Sequence, residues 1–545
     1  MQTKQANNTK NSSTRYIFVT GGVMSGLGKG ILTASMAKLL QLSGLKVSCM
    51  KIDPYLNFDA GTMNPVIHGE VFVTNDGGEC DMDIGTYERY LDIDLTRDHN
   101  MTTAQIYSKV IERERRGEYL GQCVQIIPHI TDEIKERIRS TAVKENLDLL
   151  VVECGGTVGD IESQPFLEAM RQMRLEDGPD RTLLVHVTLA PMLDVVGEVK
   201  TKPTQHSVQE LRRIGIQPDI VAVRCKIELD NDVRRKIALF ASVEQRSVVS
   251  SHDSASVYTV PEVLQNQDIV STVTGKLGMR ARPFSWGNWE EVLSSYRNLG
   301  EHLRIAMVGK YVKLGDSYVS VNHALDHAGA KIGHRVEIDR IDSEQLENGN
   351  LAMLDNYDGI LVPGGFGARG SEGIINSANY AMVKNIPYLG ICFGFQLAAV
   401  AFARKALNLP EANSTEVAPD TKDPVIDLLP EQKGIDKMGG TMRLGAHEID
   451  IVPDTVANRV YGSTRVVKRH RHRYEVNQEY RDQFEKLGMI FSASSDNGRR
   501  MEILEIPNHR FYFAVQYHAE FTSRPGKPEE AFLNFVRAAA AGKKG

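Results

Sequence analysis

Short apolar runs rich in β-branched residues alternate with amphipathic stretches in both halves of this 545-residue chain. The runs predict buried strands, and the stretches between them have the periodicity of helices. Strands that alternate with helices form parallel sheets covered on both faces. We therefore predict an α/β protein with two doubly wound domains. The predicted strands are residues 15–20, 47–52, 149–153, 182–188 and 219–224 in the first half, and 304–308, 359–362, 388–391 and 511–517 in the second.

A stretch without a strand pattern, residues 279–302, separates the two series of strands. It contains Pro283 and both tryptophans, Trp286 and Trp289, so we predict a linker packed on its neighbours. Residues 1–14 contain no Leu, Ile, Val or Phe, so they lack the apolar core of a secretory signal. This composition predicts a flexible tail. The predicted domains are residues 15–278 and 303–545.

Composition excludes several classes of protein. The chain has 64 Lys and Arg against 70 Asp and Glu, a balance that gives no electrostatic footprint for nucleic acid. The longest mainly apolar stretch, residues 388–403, is interrupted by Gln396 and is shorter than the ~18 residues of a membrane span. Six cysteines without a Cys-x-x-Cys pair support neither a disulfide scaffold nor a zinc site. We expect a cytoplasmic protein.

The first predicted strand leads into the sequence GGVMSGLGKG at residues 21–30, and a helical pattern follows. Closely spaced glycines let backbone N–H groups converge on phosphate oxygens at the positive end of a helix. Lys29 would add a charge for the outer phosphates. Gly30 stands where the common phosphate-loop pattern has a metal-binding hydroxyl, so acidic residues elsewhere are expected to hold Mg²⁺.

Several carboxylates qualify for that role. Asp53 ends the second strand, where ligands meet parallel sheets, and an acidic stretch runs from Asp76 to Asp83. Glu153 lies in an apolar strand end, where an unpaired carboxylate would be costly to bury. We therefore expect a metal or another cation beside Glu153.

The second half contains a candidate nucleophile. Gly390 and Gly394 flank Cys392 in a strand-turn-helix pattern, which would leave the sulfur exposed above a sheet. Downstream, His518 and Glu520 stand two residues apart near a strand end, so they share one side of an extended segment. This spacing is typical of a nucleophile, a base and a residue that orients the base.

These motifs, together with GTMNPVIHGEVFV at residues 61–73, GGTVGDIE at 155–162 and KTKPTQHS at 200–207, resemble the CTP synthase family. The resemblance extends over residues 16–535. It implies an N-terminal amidoligase domain with a dethiobiotin-synthetase-like phosphate-loop sheet. It also implies a C-terminal class I glutamine amidotransferase domain.

The implied reaction belongs to pyrimidine nucleotide biosynthesis. ATP, with Mg²⁺, would phosphorylate the 4-oxygen of UTP, and ammonia released from L-glutamine would displace that phosphate to give CTP. Phosphate is a better leaving group than a carbonyl oxygen, and phosphoryl transfer depends mainly on positioning and charge neutralisation. The family also implies feedback inhibition by CTP, activation by GTP and a homotetramer.

The resemblance assigns roles to the positions that match the family's motifs. The catalytic residues would be Cys392, His518 and Glu520, and the metal ligands Asp83 and Glu153. ATP would be bound by Gly26, Leu27, Gly28, Lys29, Gly30, Ile31, Lys51, Asp83, Asp253 and Ser254. UTP or CTP would be bound by Ser25, Lys200, Thr201, Lys202, Pro203, Thr204, Gln205 and Lys236, and inhibitory CTP by Asp160, Ile161 and Glu162. Glutamine would be bound by Gly365, which would also donate to the oxyanion, and by Phe393, Gly394, Phe395, Gln396, Glu416 and Arg473.

Five positions depart from the family's usual residues. Thr86 replaces a His, Cys80 a Thr, Gly26 a Ser, Phe393 a Leu, and Ala519 the Pro of His-Pro-Glu. The neighbouring charges and all three triad groups are kept, so these changes bear on substrate positioning rather than on the reaction.

Two other functions are compatible with parts of the pattern. One is a different phosphate-loop amidotransferase, of the cobyrinate amidase type, but the block at residues 200–207 argues against it. The other is a non-enzymatic partitioning-type ATPase switch or an assembly scaffold. Such a protein would have no use for a complete set of Cys392, His518 and Glu520.

Overall fold

The computed structural model describes residues 13–193, 197–280, 282–312, 315–428, 432 and 439–542. Its contacts divide the chain into two units, of which the first comprises Met1–Phe58 and Asp83–Leu293 and the second Asp59–Met82 and Ser294–Gly545. Residues 59–82, which fall within the predicted domain 15–278, belong to the second unit. Of the predicted tail, residues 1–12 lie outside the described residues, whereas Thr14 is buried and donates a hydrogen bond to the carbonyl of Leu147.

The first unit is built on a sheet of seven strands that all run parallel. Its inner strands are buried along nearly their whole length, because β-branched and aliphatic side chains point to both faces and helices cover both. In spatial order the strands are Val248–His252, Ile220–Cys225, Thr182–Leu189, Arg15–Gly21, Leu149–Cys154, Val47–Asp53 and Asn100–Thr102.

Helices fill the connections between these strands. Apolar side chains of four of them cover the sheet around Phe18 and Val152. The last helix begins at Trp289, in the predicted linker, and Trp289 packs on Tyr90 and Tyr258 of the first unit. The α-helices are Lys29–Leu42, Met82–Leu91, Thr103–Arg115, Thr131–Lys144, Gln164–Asp177, Lys202–Arg213, Asn231–Ala241, Val260–Gln265, Ile269–Lys276 and Trp289–Arg297, with a short hairpin of Met192–Leu193 and Glu198–Val199.

The second unit has a nine-stranded sheet of mixed direction. Five strands run parallel, and four antiparallel strands extend one side of the sheet. In spatial order they are Arg335–Asp342, His302–Gly309, Gly359–Val362, Tyr388–Ile391, Tyr512–Val515, Arg500–Glu505, Ile490–Ser495, Arg443–Ile451 and Arg465–His472.

Helices and two small sheets complete the second unit. Two buried clusters lie on the faces of the large sheet and include Phe395 on one side and Phe532 on the other. The α-helices are Pro65–His68, Val319–Lys331, Ser371–Lys384, Phe393–Ala406, Val456–Tyr461, Arg481–Lys486 and Glu530–Ala541. The small sheets are Val71–Val73 with Glu79–Asp81, and Asn413–Ser414 with Pro424–Leu428 and Tyr474–Val476.

The predicted α/β class with two doubly wound domains is confirmed, and all nine predicted strands are present within two or three residues of their predicted bounds. Within the part of the chain that the structure describes, every helix is too short or too polar to cross a membrane.

Candidate active sites

Cys392 lies at a sharp turn between the strand Tyr388–Ile391 and the helix Phe393–Ala406. Its backbone has φ 51° and ψ −98°, a strained conformation for a residue with a side chain. The turn is held because the Cys392 N–H donates to the carbonyl of Val515 on the next strand at 2.8 Å. The sulfur is thereby presented beyond the end of the sheet.

The glycines that flank Cys392 are required because neither position has room for a Cβ. A Cβ at Gly394 would lie 2.3 Å from the carbonyl oxygen of Val362, and a Cβ at Gly390 would lie 2.8 Å from the backbone of Gly394. Neither glycine has a positive φ. The elbow therefore brings backbone against backbone, and only residues without a side chain permit this approach.

The predicted base lies against the sulfur. His518 Nδ1 bonds Glu520 Oε1 at 2.7 Å, and all three triad side chains are buried. Burial opposes the charged imidazole, but the Glu520 carboxylate and the Cys392 sulfur outweigh it and raise the pKa of His518 to about 10. The imidazole consequently carries its proton at neutral pH and can give it to a leaving group.

Two cavities meet at Cys392. The larger, of about 370 Å³, is lined by four predicted glutamine residues, namely Gly365, Gln396, Glu416 and Arg473. The smaller, of about 80 Å³, lies on the side of His518 and Glu520. Phe393 and Phe395, also predicted to bind glutamine, belong to the apolar core.

The polar groups of the larger cavity are held by neighbouring residues. The Gly367 N–H donates to Glu416 Oε1 at 2.9 Å, and burial raises the pKa of the Glu416 carboxyl. Arg473 donates to Gln432 Oε1 at 2.5 Å and to Thr441 Oγ1 at 2.9 Å. A carboxylate and a guanidinium therefore line a cavity large enough for an amino acid.

The sequence analysis did not single out two basic residues near the cysteine. Arg471 lines both cavities, and Lys310 lies beside Phe393. Lys310 Nζ donates to the carbonyl of Phe366 at 2.9 Å and lies 4.1 Å above the Phe393 ring, and burial lowers the pKa of Lys310 to about 8. Lys310 follows a predicted parallel strand directly, the position that drew attention to Asp53, so the same rule would have found it.

The phosphate loop of the first unit has the expected form. Gly26 and Gly28 have φ of 76° and 82°, and the helix Lys29–Leu42 begins immediately after them. Lys29 Nζ donates to the carbonyl of Gly156 at 2.8 Å, and its side chain crosses Gly21, where a Cβ would lie 2.7 Å from Nζ. The lysine is thus held at the mouth of the loop.

The predicted metal carboxylates lie beside this loop. Lys51 Nζ contacts Asp83 Oδ2 and lies 3.6 Å from Glu153 Oε1 and 3.7 Å from Asp53 Oδ1. Burial raises the pKa of Glu153, with a further contribution from Asp83, while the nearby lysines oppose the shift. A Cβ at Gly30 would lie 2.1 Å from Asp83 Oδ1, so the missing loop hydroxyl leaves room for a carboxylate.

Two predicted metal ligands, Asp83 and Glu153, are few for a metal site made of protein groups alone. Among the residues that the structure describes, no group of three or more His, Cys, Asp or Glu side chains is arranged to hold a metal ion. Mg²⁺ commonly takes one or two carboxylates together with the phosphates of a bound nucleotide. Asp83 and Glu153 therefore fit a metal that arrives with ATP.

Ser25 lies in the phosphate loop, whereas the other predicted pyrimidine-nucleotide residues lie on, or just before, two helices that contact each other. The helix Lys202–Arg213 carries Lys202 at its start, and the helix Asn231–Ala241 carries Lys236 on its exposed surface. Lys202 Nζ lies 5.9 Å from the Phe240 ring. Lys200 precedes the first of these helices and Lys202 begins it. Thr204 and Gln205 are buried, and they donate to the carbonyl of Leu189 and to Thr201 Oγ1.

The remaining predicted residues lie at loop ends of the same unit. Asp160 turns back to accept a hydrogen bond from Thr157 Oγ1 at 2.9 Å, while Ile161 is 84% exposed and Glu162 is also exposed. Asp253 pairs with Arg224 directly after the edge strand Val248–His252. In the sheet, that strand is the third neighbour of the strand that leads into the phosphate loop, so the two strands are ~14 Å apart.

The family departures fit their surroundings. Gly26 has the positive φ that a Ser would adopt with strain. Cys80, Thr86, Phe393 and Ala519 are all buried, and Ala519 is fully enclosed.

Two family models match this chain. One is described as CTP synthase N-terminus and matches residues 15–279, and the other is glutamine amidotransferase class-I and matches residues 313–538. The fold and site thus define an amidoligase joined to a class I glutamine amidotransferase.

Two relatives match this chain over nearly its full length, and a solved domain matches part of it. A CTP synthase of Thermococcus kodakarensis is 53% identical over 533 residues, covering 98% of this chain and 100% of the relative. A CTP synthase of Archaeoglobus fulgidus is 55% identical over 525 residues, covering 96% and 98%. A solved glutaminase domain of a Trypanosoma brucei CTPS with bound acivicin is 40% identical, with a TM-score of 0.42, and covers 44% of this chain and 94% of that one.

The chain belongs to the CTP synthase family. It is a glutamine-hydrolysing ligase, and membership assigns it to the glutamine-dependent synthesis of CTP from UTP in pyrimidine biosynthesis.

Proposed function

We propose that Cys392 attacks the side-chain amide of L-glutamine held in the 370 Å³ cavity. The Sγ–C bond forms first and gives a tetrahedral oxyanion. As the oxyanion collapses, the C–N bond breaks and His518 gives its proton to the departing nitrogen. Water then attacks the thioester with His518 as base, which releases glutamate and restores the thiolate. The observation that supports this most is that the strained Cys392 lines both cavities, and that the His518–Glu520 pair meets it in the smaller one.

Residues around the cavity would recognise and stabilise the substrate. Arg473 suits the substrate carboxylate and Glu416 its ammonium, because each is half-buried in the cavity wall and opposite in charge to its partner. Gly365 lines both cavities beside the sulfur and would donate its N–H to the tetrahedral oxyanion. The smaller cavity has the size of a few waters and would receive ammonia on the side of the base.

In the first unit, Lys29 and the loop around Gly26 and Gly28 would cradle the phosphates of ATP. Lys51 would neutralise charge on the phosphates, since it already lies among carboxylates at the same edge of the sheet. Asp83 and Glu153 would hold Mg²⁺, which when bound supplies further neutralisation of phosphate charge.

The synthase reaction would proceed in two transfers. The 4-oxygen of UTP would take the γ-phosphoryl group of ATP, and ammonia would then add at C4 and expel inorganic phosphate. Lys200, Lys202 and Lys236 would hold the triphosphate of UTP, with Ser25 near the phosphate loop. Asp253 and Ser254 would contact ATP farther along the sheet.

The regulatory and cellular parts of the proposal rest on family membership. Asp160, Ile161 and Glu162 would distinguish inhibitory CTP from UTP, and the exposure of Ile161 and Glu162 leaves them accessible to a ligand. GTP would activate glutamine hydrolysis, and the enzyme would act as a homotetramer in the cytoplasm.

A spectrophotometric assay of UTP conversion tests the proposal. Purified protein with ATP, Mg²⁺ and UTP should form CTP when supplied with either glutamine or an ammonium salt, and should do so without any other protein. Absence of CTP with both nitrogen sources would overturn the proposed function.

A further inference from the structure

A hairpin encoded in the first half of the chain packs in the unit that carries the cysteine. The strands Val71–Val73 and Glu79–Asp81 pair antiparallel, with Phe72 opposite Cys80. These residues fall within the stretch matched by the CTP synthase N-terminus model, yet they belong to the second unit. Phe72 is fully buried there.

Two aromatic rings link this hairpin to the catalytic base. The Phe521 ring stacks on the His518 ring, with centroids 5.1 Å apart and planes inclined by 14°. The Phe72 ring meets Phe521 edge-on, at 4.9 Å and 61°. Both arrangements are favoured by the charge distribution of aromatic rings.

The hairpin itself is held from the other side by a buried arginine. Arg469 lies with its guanidinium 5.4 Å from the Phe72 ring centre and donates to the carbonyl of Val73 at 3.1 Å and to Asn75 Oδ1 at 2.6 Å. On the same strand, Arg471 bonds Glu79 Oε1 at 2.8 Å. Phe72 therefore has little freedom to withdraw from Phe521.

Stacking supplies a constraint that the triad's own hydrogen bond lacks. The bond from His518 Nδ1 to Glu520 fixes one ring atom, but the imidazole plane can still rotate about that bond. A parallel ring at 5.1 Å restricts this rotation, and Gly364 approaches the imidazole closely enough that a Cβ there would lie 3.0 Å from Cε1. The plane of the ring sets where Nε2 points, and Nε2 must face the sulfur.

We propose that Phe521, braced by Phe72, is a positioning residue that keeps His518 Nε2 directed at Cys392. The amidoligase part of the sequence thus supplies a component of the glutaminase site. This inference rests on the proposed glutaminase function. Neither phenylalanine touches the reacting atoms in this account, and Phe521 lines the smaller cavity rather than the one assigned to glutamine.

Leucine substitutions in the full chain test the proposal. Phe521→Leu should lower kcat for glutamine hydrolysis about tenfold or more, and Phe72→Leu about threefold to tenfold, because small misplacements of a catalytic group are costly. KM for glutamine should stay within about twofold. Phe521→Tyr, which keeps the ring, should retain at least about half of kcat.

The same preparations carry an internal control. CTP synthesis from ammonium chloride reports folded enzyme without using His518, and its rate should be unchanged in each variant. Phe484→Leu removes a buried ring of the same unit that packs on Phe402 and Phe491 instead, and its kcat should match the unsubstituted protein.

The outcomes separate this inference from the proposed function. Unchanged kcat in Phe521→Leu, or equal losses in Phe521→Leu and Phe484→Leu, would overturn the positioning role. An equal loss of the ammonia-dependent rate would also overturn it, since the effect would then be on folding. Absence of glutamine hydrolysis in the unsubstituted protein would instead refute the proposed function.

Discussion

The phosphate loop and the cysteine elbow are both strand-turn-helix junctions rich in glycine, yet their glycines serve opposite purposes. Gly26 and Gly28 adopt positive φ, and a Cβ at either would meet no atom within 4 Å. Gly390 and Gly394 have ordinary backbone angles but no room for a Cβ, and the positive φ falls on Cys392.

This difference separates two kinds of turn. In the loop, free backbone conformations aim N–H groups at a ligand, and the space above them stays open. In the elbow, close packing of backbone forces strain onto the nucleophile and holds its sulfur in place. Glycine spacing alone does not distinguish a turn that binds from a turn that presents a side chain.

Cys392→Ala removes the elbow's nucleophile and should give the largest and most selective effect. Glutamine-dependent CTP formation should be abolished, while ammonia-dependent formation should stay near normal, because the sulfur takes no part in the synthase chemistry. Rates with the two nitrogen sources measure this. Cys123→Ala, which removes an exposed thiol, should change neither rate, and loss of both rates in folded Cys392→Ala would contradict separate sites.

Lys29→Ala removes the loop's charge and should act on both nitrogen sources. CTP formation should fall about 100-fold or more with either source, as expected for losing a preorganised phosphate partner. Lys144→Ala, at an exposed lysine of the same unit, is the matched control and should leave the rates unchanged. Undiminished synthesis in Lys29→Ala would remove the phosphate-loop assignment.

The two kinds of glycine should respond differently to alanine. Gly394→Ala should destabilise the second unit by about 2–3 kcal/mol, because the new Cβ overlaps a backbone oxygen. Gly26→Ala should cost only about 1 kcal/mol, from its left-handed conformation. Urea denaturation measures both. Gly275→Ala, in the open face of a helix, should be neutral or stabilising, and a larger cost at Gly26 than at Gly394 would reverse the comparison.

Asp160→Ala should have a smaller effect, confined to regulation. Loss of the bonds to Thr157 loosens the loop that carries Ile161 and Glu162, so we expect inhibition by CTP to weaken about threefold to tenfold. The KM for UTP should change less. Steady-state kinetics at several CTP concentrations measure both quantities, and equal changes would refute a discriminating role.

The smallest expected effect concerns the pH dependence of glutamine hydrolysis, whose rate should hardly change near neutral pH. Because the Glu520 carboxylate helps to raise the pKa of His518 to about 10 despite burial, the imidazolium persists through neutral pH and is lost as pH rises through about 10. We expect kcat/KM to be flat between about pH 7 and 9 and then to fall. In Glu520→Gln the fall should begin at lower pH, and an unshifted limb would contradict this origin.

The sequence predicted the nine inner parallel strands, and it missed both the antiparallel strands and three parallel strands at sheet edges, namely Asn100–Thr102, Val248–His252 and Arg335–Asp342. The inner parallel strands are buried on both faces and therefore form continuous apolar runs, such as residues 149–153. The strand Arg465–His472 contains five charged or histidine side chains in succession and is typical of a solvated loop. Its charges are satisfied by partners distant in sequence, as in the buried pair of Lys468 and Glu529.

The candidate sites were predictable where chemistry is carried by local motifs. The cysteine elbow, the His518–Glu520 pair and the phosphate loop each follow from spacing within a few residues. The packing of residues 59–82 in the second unit was not predictable, because it depends on contacts such as that between Arg471 and Glu79, almost 400 residues apart.

An isotope measurement tests the central claim most directly, namely that one region releases ammonia while the other activates UTP as a phosphate ester. UTP labelled with ¹⁸O at the 4-oxygen would be converted to CTP with ATP and glutamine, and the inorganic phosphate analysed by mass spectrometry. The account predicts one ¹⁸O atom in the phosphate for each CTP formed. Unlabelled phosphate, with the label released as water, would contradict it.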